Sequence, residues 1–168
     1  MFDDLVRRMT VLRRDLHAHP ELAFDEQRTS NIVAELLATA GLRVHRGLAE
    51  TGVVATLQAG RSGRAIALRA DMDALPLQEL NEFAHRSTFA GRVHACGHDG
   101  HVAMLAGAAL WLAREPTFDG TVHFVFQPAE EMAGGGRAMV EQGLFERFPV
   151  ESAFALHNWP GLPVGQFA

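Results

Sequence analysis

The sequence has no lysine and no tyrosine, and its one cysteine is Cys96. One cysteine cannot form an internal disulfide framework, and a lone thiol that must stay reduced fits a reducing cytoplasm. No apolar run approaches the length of a membrane span. The first ten residues, MFDDLVRRMT, are charged and amphipathic, unlike a secretory signal. We therefore expect a cytoplasmic protein that does not bind a membrane.

The charge balance argues against a nucleic-acid partner. All fifteen basic residues are arginine, they are scattered along the chain, and the formal net charge is −5. A nucleic-acid footprint requires a basic patch or stripe. With 168 residues, 48% of them apolar and 21% charged, the chain is typical of one soluble globular domain.

Hydrophobic periodicity predicts helices that alternate with strands. The predicted helices cover residues 3–18, about 27–40, a segment that begins after His98 with Asp99 as its N-cap, and 137–142. The predicted strands cover residues 42–45, 52–58, 65–70, 122–126 and 152–156. This alternation is typical of an α/β layered fold, and the polar segment 76–95 reads as an active-site loop.

Four polar clusters lie where a predicted strand ends or a helix begins, the place where ligands bind in open α/β sheets. Asp71 and Asp73 follow the apolar strand IALR and, one residue apart, should point the same way. The alternative interpretation is a turn with side-chain hydrogen bonds to its own backbone.

The second cluster is HACGHDGH, at residues 94–101. A thiol and three imidazoles within eight residues is a donor set suited to zinc and other borderline divalent metals. Cys96 and His98 flank Gly97, which allows a tight loop to direct both at one ion. His94 and His101 are weaker candidates, and His101 fits equally well as a surface residue. The alternative is a helix start with incidental histidines.

The third and fourth clusters follow the last two predicted strands. Glu130 and Glu131 come after VHFVF, and adjacent acids at the end of a central strand are costly to bury unless paired or metal-bound. Neighbouring side chains diverge in an extended segment, so the two acids should have different functions. A solvated acidic loop is the alternative. His157 follows AFAL, where a lone histidine is more often structural than a ligand.

Five segments together resemble, in the same order, the motifs of the M20 amidohydrolases, in the branch of hippurate hydrolases, N-acyl-amino-acid amidohydrolases and auxin-conjugate hydrolases. They are RRDLHAHPELAFDE, LRADMDALP, HACGHDGHVAML, QPAEEMAGGGRAMVEQGLFE and ALHNWPGLPVG. The resemblance implies a three-layer α/β/α zinc-peptidase-like (phosphorylase/hydrolase-like) catalytic domain. It further implies that residues 1–168 are the N-terminal portion of that domain, without the lid domain and the C-terminal catalytic segment.

The resemblance also implies a site and a reaction. Cys96, His98, Glu131 and His157 would bind two divalent ions, which the family pattern allows to be Mn²⁺, Zn²⁺, Ni²⁺ or Co²⁺. Glu130 would be the general base that activates water to cleave the amide bond of an N-acyl amino acid. Asp73 would orient a ligand or tune the base, and the role of Asp71 stays open. The resemblance also implies a small-molecule N-acyl amino acid substrate, and dimers or tetramers formed through a lid domain that is absent here.

Two alternatives of other classes remain at this point. Cys96 would be the nucleophile of a cysteine hydrolase, with a histidine as its base, although the adjacent acids would then lack a role. Alternatively, the chain would be a metal-binding fragment without catalytic activity. Because part of the catalytic domain is expected to be missing, we expect the fragment alone to be inactive and to expose an apolar sheet edge.

Overall fold

The computed structural model describes residues 2–168. The helices are α1 (Phe2–Ala18), α2 (Gln27–Thr39), α3 (His98–Arg114), α4 (Gly135–Glu141) and α5 (Leu144–Arg147). The strands are β1 (Arg43–Leu48), β2 (Gly52–Ala59), β3 (Ala65–Asp71), β4 (Gly120–Gln127) and β5 (Ser152–Ala155). The predicted elements are all present, and no end is shifted by more than three residues.

The strands form one mixed sheet in the order β1-β2-β4-β3-β5. β2 runs antiparallel to both β1 and β4, whereas β3 runs parallel to β4 and to β5. The carboxyl ends of β3, β4 and β5 therefore lie at the same edge of the sheet. This edge is where an open α/β sheet presents its ligand site.

Helices cover both faces of the sheet. One core lies between the sheet and α1, α2 and α3, and it includes Leu16, Leu37 and Phe124, each fully buried. A smaller core on the opposite face joins the sheet to α4 and α5 through Val54 and Met139. Side chains alternate between these faces along each strand. The predicted α/β/α three-layer architecture is confirmed.

The β5 edge of the sheet is open. All four residues of β5 are exposed, and Phe154 retains 55% of its accessible surface. Leu156 and Trp159, which follow the strand, are also exposed. The expected apolar edge is therefore present. None of the helices within residues 2–168 is long and apolar enough to cross a membrane.

The start of α3 differs from the prediction. Asp99 is not the N-cap, because the helix already begins at His98, and Gly97 occupies the cap position with a φ of 87°. The Asp99 side chain is instead fully buried, with Oδ2 2.8 Å from both Arg13 Nε and His17 Nδ1 of α1. This carboxylate joins two helices and does not cap its own.

Candidate metal centre

The four polar clusters meet at the carboxyl edge of the three parallel strands. Asp71 ends β3 and Asp73 follows it, the Glu130–Glu131 pair follows β4, and His157 follows β5. Cys96 and His98 approach the same place from the start of α3. The predicted convergence of the clusters is therefore what the fold produces.

His98 stands at the middle of this convergence, with no exposed surface. Its Nδ1 lies 3.3 Å from Asp73 Oδ1, and its Nε2 lies 3.7 Å from Asp71 Oδ2. The same Nε2 is 3.7 Å from Glu131 Oε1 and 4.0 Å from Glu130 Oε2. One imidazole is thus surrounded by four carboxylates.

Three groups of side chains each offer ligand atoms that lie within 4.8 Å of one another, and every group includes His98. The groups are Cys96–His98–His157, His98–Glu130–Glu131 and Asp71–His98–His101. The four ligands implied by the resemblance fall in the first two. The third contains Asp71, whose role the resemblance leaves open, and His101, which the sequence offered as a weaker candidate.

The three groups differ in whether their ligand atoms already form hydrogen bonds. Both ring nitrogens of His98 and Oε1 of Glu131 are buried and have no hydrogen-bond partner among residues 2–168. Buried polar atoms are normally paired, so these atoms have coordination capacity that the described residues leave unused. Asp73 Oδ1 is a further buried atom without a partner.

Asp71 and His101, by contrast, are already bound to neighbours. Asp71 Oδ1 lies 2.6 Å from His101 Nδ1, and Asp71 Oδ2 accepts a 2.6 Å hydrogen bond from Arg69. The other ring nitrogen of His101 is 2.6 Å from Asn158 Oδ1 and 3.2 Å from the Asn158 backbone nitrogen. The interpretation of His101 as a surface residue is wrong, because its side chain is buried in this chain of contacts.

Cys96 and His157 approach each other although they are 61 positions apart, with Sγ 3.4 Å from Nε2. The Nδ1 of His157 lies 2.7 Å from the backbone carbonyl oxygen of Asn158, which favours donation from Nδ1 and leaves Nε2 free to accept or to coordinate. Gly97 brings the loop close to this segment, because a Cβ at Gly97 would collide with Oδ1 of Asn158. Gly97 therefore does allow the tight loop that the sequence suggests.

The acidic pair lies in a turn and not in an extended segment. The expectation that the two side chains diverge is therefore wrong, since both carboxylates reach towards the same nitrogen of His98. They differ in exposure: the Glu130 side chain keeps 40% of its surface, and Glu131 keeps 18%. Asp73 Oδ2 accepts a 3.0 Å hydrogen bond from the backbone N–H of Glu131 and so fixes this turn.

The pKa values of Cys96 and Asp71 shift in opposite directions because their neighbours differ in charge. Burial and the neighbouring carboxylate of Glu131, with smaller contributions from Glu130 and Asp71, raise the pKa of the Cys96 thiol to about 12. Burial also opposes ionisation of Asp71, but the hydrogen bond with His101 and the charges of His98 and Arg69 outweigh it and lower its pKa to about 2.

These residues fit one or more divalent cations. Several carboxylates cannot share a buried site cheaply without a compensating positive charge. Thiolate, imidazole and carboxylate are ligands of Zn²⁺, and imidazole also suits Ni²⁺. The unpaired atoms of His98 and Glu131 are the observation that connects this donor set to a metal.

Further residues support the site, and the sequence analysis did not single them out for this. His17 of α1 places Nδ1 2.8 Å from Asp99 and Nε2 3.1 Å from Glu79 of the 76–95 loop. This histidine ties α1 to α3, next to His98, and to the long loop. It lies in the first quoted motif, but no local pattern signals its partners. His94 is buried with an unpaired ring, and its burial lowers its pKa to about 4.

Comparison with known proteins gives a consistent result. The profile described as Peptidase family M20/M25/M40 matches residues 67–168. The hippurate hydrolase of Campylobacter jejuni is 46% identical over 157 residues, which cover 94% of this chain and 41% of that protein. The IAA-amino acid hydrolase ILR1-like 6 of Arabidopsis thaliana is 46% identical over 155 residues, covering 92% of this chain and 33% of that protein.

A solved structure also matches. The crystal structure of a dinuclear metal-binding peptidase of the M20 family from Bacillus subtilis superimposes with a TM-score of 0.91 at 41% identity, covering 97% of this chain and 46% of that one. The chain thus spans between a third and a half of the length of these three proteins.

Proposed function

Because the chain belongs to peptidase family M20/M25/M40, we propose that it is the N-terminal part of the catalytic domain of a metal-dependent amidohydrolase. The substrate class that we propose is the N-acyl amino acids, with hippurate-like, N-acetyl or auxin-type acyl groups. Similarity to a hippurate hydrolase and to an IAA-amino acid hydrolase supports this class. The lone thiol at the site is our reason for proposing a reducing, cytoplasmic location.

The observation that carries the proposal is the set of unpaired ligand atoms around His98. We propose Cys96, His98, Glu131 and His157 as the ligands of two divalent ions. When bound, such ions polarise the amide carbonyl and increase the acidity of water. Mn²⁺, Zn²⁺, Ni²⁺ and Co²⁺ are the candidates, and the thiol and imidazole donors favour the softer of these.

The chain's own residues divide the remaining work. Glu130 is the more exposed of the two acids, so it is the one that can meet water and substrate, and we assign it the role of general base. It takes a proton from the attacking water and passes it to the leaving amine. Asp73 faces Nδ1 of His98 and holds the backbone of Glu131, so it orients two of the proposed ligands.

The first test is metal content. Purified chain, dialysed against Co²⁺ or Zn²⁺ and then against metal-free buffer, should retain about two ions per chain by atomic emission. Cys96→Ser and His98→Ala should each lose metal, whereas the matched control His45→Gln should retain it, because His45 lies outside the site. A folded chain that retains no ion would contradict the assigned ligand set.

The cysteine-hydrolase alternative has one supporting observation, the 3.4 Å approach of Cys96 Sγ to His157 Nε2. Burial and the carboxylates beside Cys96 oppose it, because together they raise the pKa of the thiol to about 12 and suppress the nucleophilic thiolate. Chelation distinguishes the two. In an active enzyme that contains this segment, loss of hydrolysis in chelator with recovery on adding Zn²⁺ supports the metal enzyme, whereas hydrolysis that persists in chelator supports the thiol.

A further inference from the structure

Glu26 is a buried acid outside the proposed metal centre, and its carboxylate is directed at the acidic turn. It has no exposed surface. Its Oε2 accepts a 2.6 Å hydrogen bond from the hydroxyl of Thr51, and its Oε1 accepts a 2.9 Å hydrogen bond from the backbone N–H of Ala129. Ala129 directly precedes Glu130 and lies 103 positions from Glu26.

Glu26 does not serve its own helix. It occupies the N-cap position of α2 but makes no side-chain capping hydrogen bond. Glu21 performs that function, since its two carboxylate oxygens accept 2.8 Å hydrogen bonds from the backbone N–H groups of Arg28 and Thr29. The Glu26 carboxylate is therefore free to hold another segment, and capping of α2 does not explain why an acid is buried here.

The segment that it holds needs support. Ala129 has a φ of 53°, a left-handed conformation that a residue with a Cβ adopts only when its surroundings impose it. The backbone carbonyl of Ala129 accepts a 2.9 Å hydrogen bond from the N–H of Gly135, and its N–H is bound by Glu26. Both polar groups of this strained peptide position are thus fixed.

Two buried carboxylates hold the turn from either side of Glu130. Glu26 binds the N–H of Ala129, and Asp73 binds the N–H of Glu131. The backbone of Glu130 lies between these two attachment points. We propose that Glu26 is a positioning residue, which sets the direction of the Glu130 and Glu131 side chains by holding Ala129. The importance of Glu26 for catalysis rests on the proposed function, but the hydrogen bond between Glu26 and Ala129 can be tested without metal.

The test compares variants of the whole chain by two measurements, amide hydrogen exchange without metal and Co²⁺ affinity by absorption titration. Glu26→Ala removes both hydrogen bonds. We expect exchange at Ala129 and Glu131 to accelerate at least about 10-fold. We expect Co²⁺ affinity to fall about 10- to 100-fold, as for other residues that orient metal ligands. The Co²⁺ spectrum should change as well, because Glu131 moves.

Two conservative variants test which property of the Glu26 side chain holds the turn. Glu26→Gln keeps an oxygen for the Ala129 N–H and can donate to the Thr51 hydroxyl. Burial raises the pKa of Glu26, so an uncharged amide is not disfavoured there. This variant should keep its Co²⁺ affinity within about 3-fold of wild type. That is a smaller loss than the roughly 10- to 100-fold that usually follows removal of an outer-shell contact. Glu26→Asp keeps the charge but shortens the reach, so it should behave like Glu26→Ala and serves if the alanine variant does not fold.

Thr56→Val is the matched control. It removes a buried 2.9 Å hydrogen bond between Thr56 of β2 and His123 of β4. This hydrogen bond does not involve the acidic turn. It should lower thermal stability without changing exchange at Ala129 or Co²⁺ affinity.

The outcomes separate the two proposals. If Glu26→Ala, or Glu26→Asp in its place, loses stability as Thr56→Val does but leaves exchange at Ala129 and Glu131 unchanged, Glu26 is merely structural and the inference is wrong. Unchanged Co²⁺ affinity in a variant whose turn exchanges faster overturns the link to the site. If wild type binds no Co²⁺ while Glu26→Ala still loosens the turn, the attachment stands and the proposed function fails.

Discussion

Glu130 and Glu131 are neighbours in sequence, yet their environments assign them different chemistry. The Glu131 carboxylate has a buried oxygen without a partner, whereas Glu130 is open to solvent. A ligand benefits from being held in place, and a base must reach water and a leaving group. Exposure therefore supports the division of roles that the family resemblance implies.

In an active enzyme that contains this segment, replacement of Glu130 by glutamine should abolish turnover and spare the metal centre. The amide of the Glu130→Gln variant cannot accept the proton, and general-base groups contribute about 10²- to 10⁴-fold to rate. The release of benzoate from N-benzoylglycine, measured beside metal content, checks this. Glu141→Gln is the control, since Glu141 is an exposed acid on α4 that pairs with Arg137. An unchanged rate in Glu130→Gln would remove Glu130 from the mechanism.

The junction between the long loop and α3 positions two proposed ligands and the segment after β5. Gly97 has a φ of 87°, and a Cβ there would meet the side chain of Asn158. Gly91 has a φ of 72° in the same loop, but open space surrounds it. The two glycines have the same conformational need and different neighbours, so they form a matched pair.

Gly91→Ala and Gly97→Ala should each lose about 1–2 kcal/mol of unfolding free energy from the left-handed backbone. Only Gly97→Ala should also displace Asn158 from His101 and so move His157. We expect its Co²⁺ affinity to fall at least about 10-fold, and that of Gly91→Ala to stay near wild type. Equal affinities would show that the Gly97–Asn158 contact does not shape the site. Urea unfolding and Co²⁺ titration provide the two measurements.

α1, α3 and the long loop are joined by His17, and this connection should depend on pH. The hydrogen bond with Asp99 raises the pKa of His17 above 6.5. Burial opposes this shift, and the hydrogen bond with Glu79 adds to it. A histidine whose pKa is raised in the folded state stabilises the fold fully when the pH is below its unfolded pKa of 6.5. This stabilisation is lost as the pH rises through the folded-state pKa.

The stability advantage of wild type over His17→Gln should therefore be largest near about pH 6 and shrink towards about pH 9. Urea unfolding across this range measures it. His45→Gln is the control: burial lowers the pKa of His45, so wild type should gain no advantage over this variant at the lower pH. A constant gap for His17→Gln would show that its ion pairs are not coupled to folding.

At the scale of the whole molecule, the proposed ligands come from three separate segments. Cys96 and His98 lie at the start of α3, Glu131 follows β4, and His157 follows β5. A cation bound to all three connects parts of the fold that are otherwise joined by the sheet. Binding of this kind adds directly to the free energy of unfolding.

Co²⁺ or Zn²⁺ at about 100 times its dissociation constant should raise the unfolding free energy by about 2.7 kcal/mol, and a chelator should reverse the effect. Thermal unfolding with and without metal checks this. The same concentration of Mg²⁺ should stabilise less, because thiol and imidazole ligands suit it poorly. Equal stabilisation by Mg²⁺ would indicate general charge screening of the carboxylates and not the assigned ligand set.

The sequence alone determined the layered fold and predicted the place of the candidate site. Helix and strand periods are local, so the elements followed from the residues of each segment, and the three-layer architecture and the family resemblance are confirmed. The clusters at strand ends predicted a common site because parallel strands present their carboxyl ends at one edge. The roles of Cys96, His98, Glu131, His157, Glu130 and Asp73 stay predictions that metal binding and kinetics must test.

Only the tertiary structure decided which side chains support that site. Three hydrogen-bonded pairs show this: Asp99 with His17, His101 with Asp71, and Glu26 with Ala129. Their members are separated in the sequence by 82, 30 and 103 positions, respectively. Such pairs leave no periodic or spacing signal, because their partners are chosen by how helices pack on the sheet. The same packing turned an expected N-cap into an interhelical carboxylate and an expected surface histidine into a buried one.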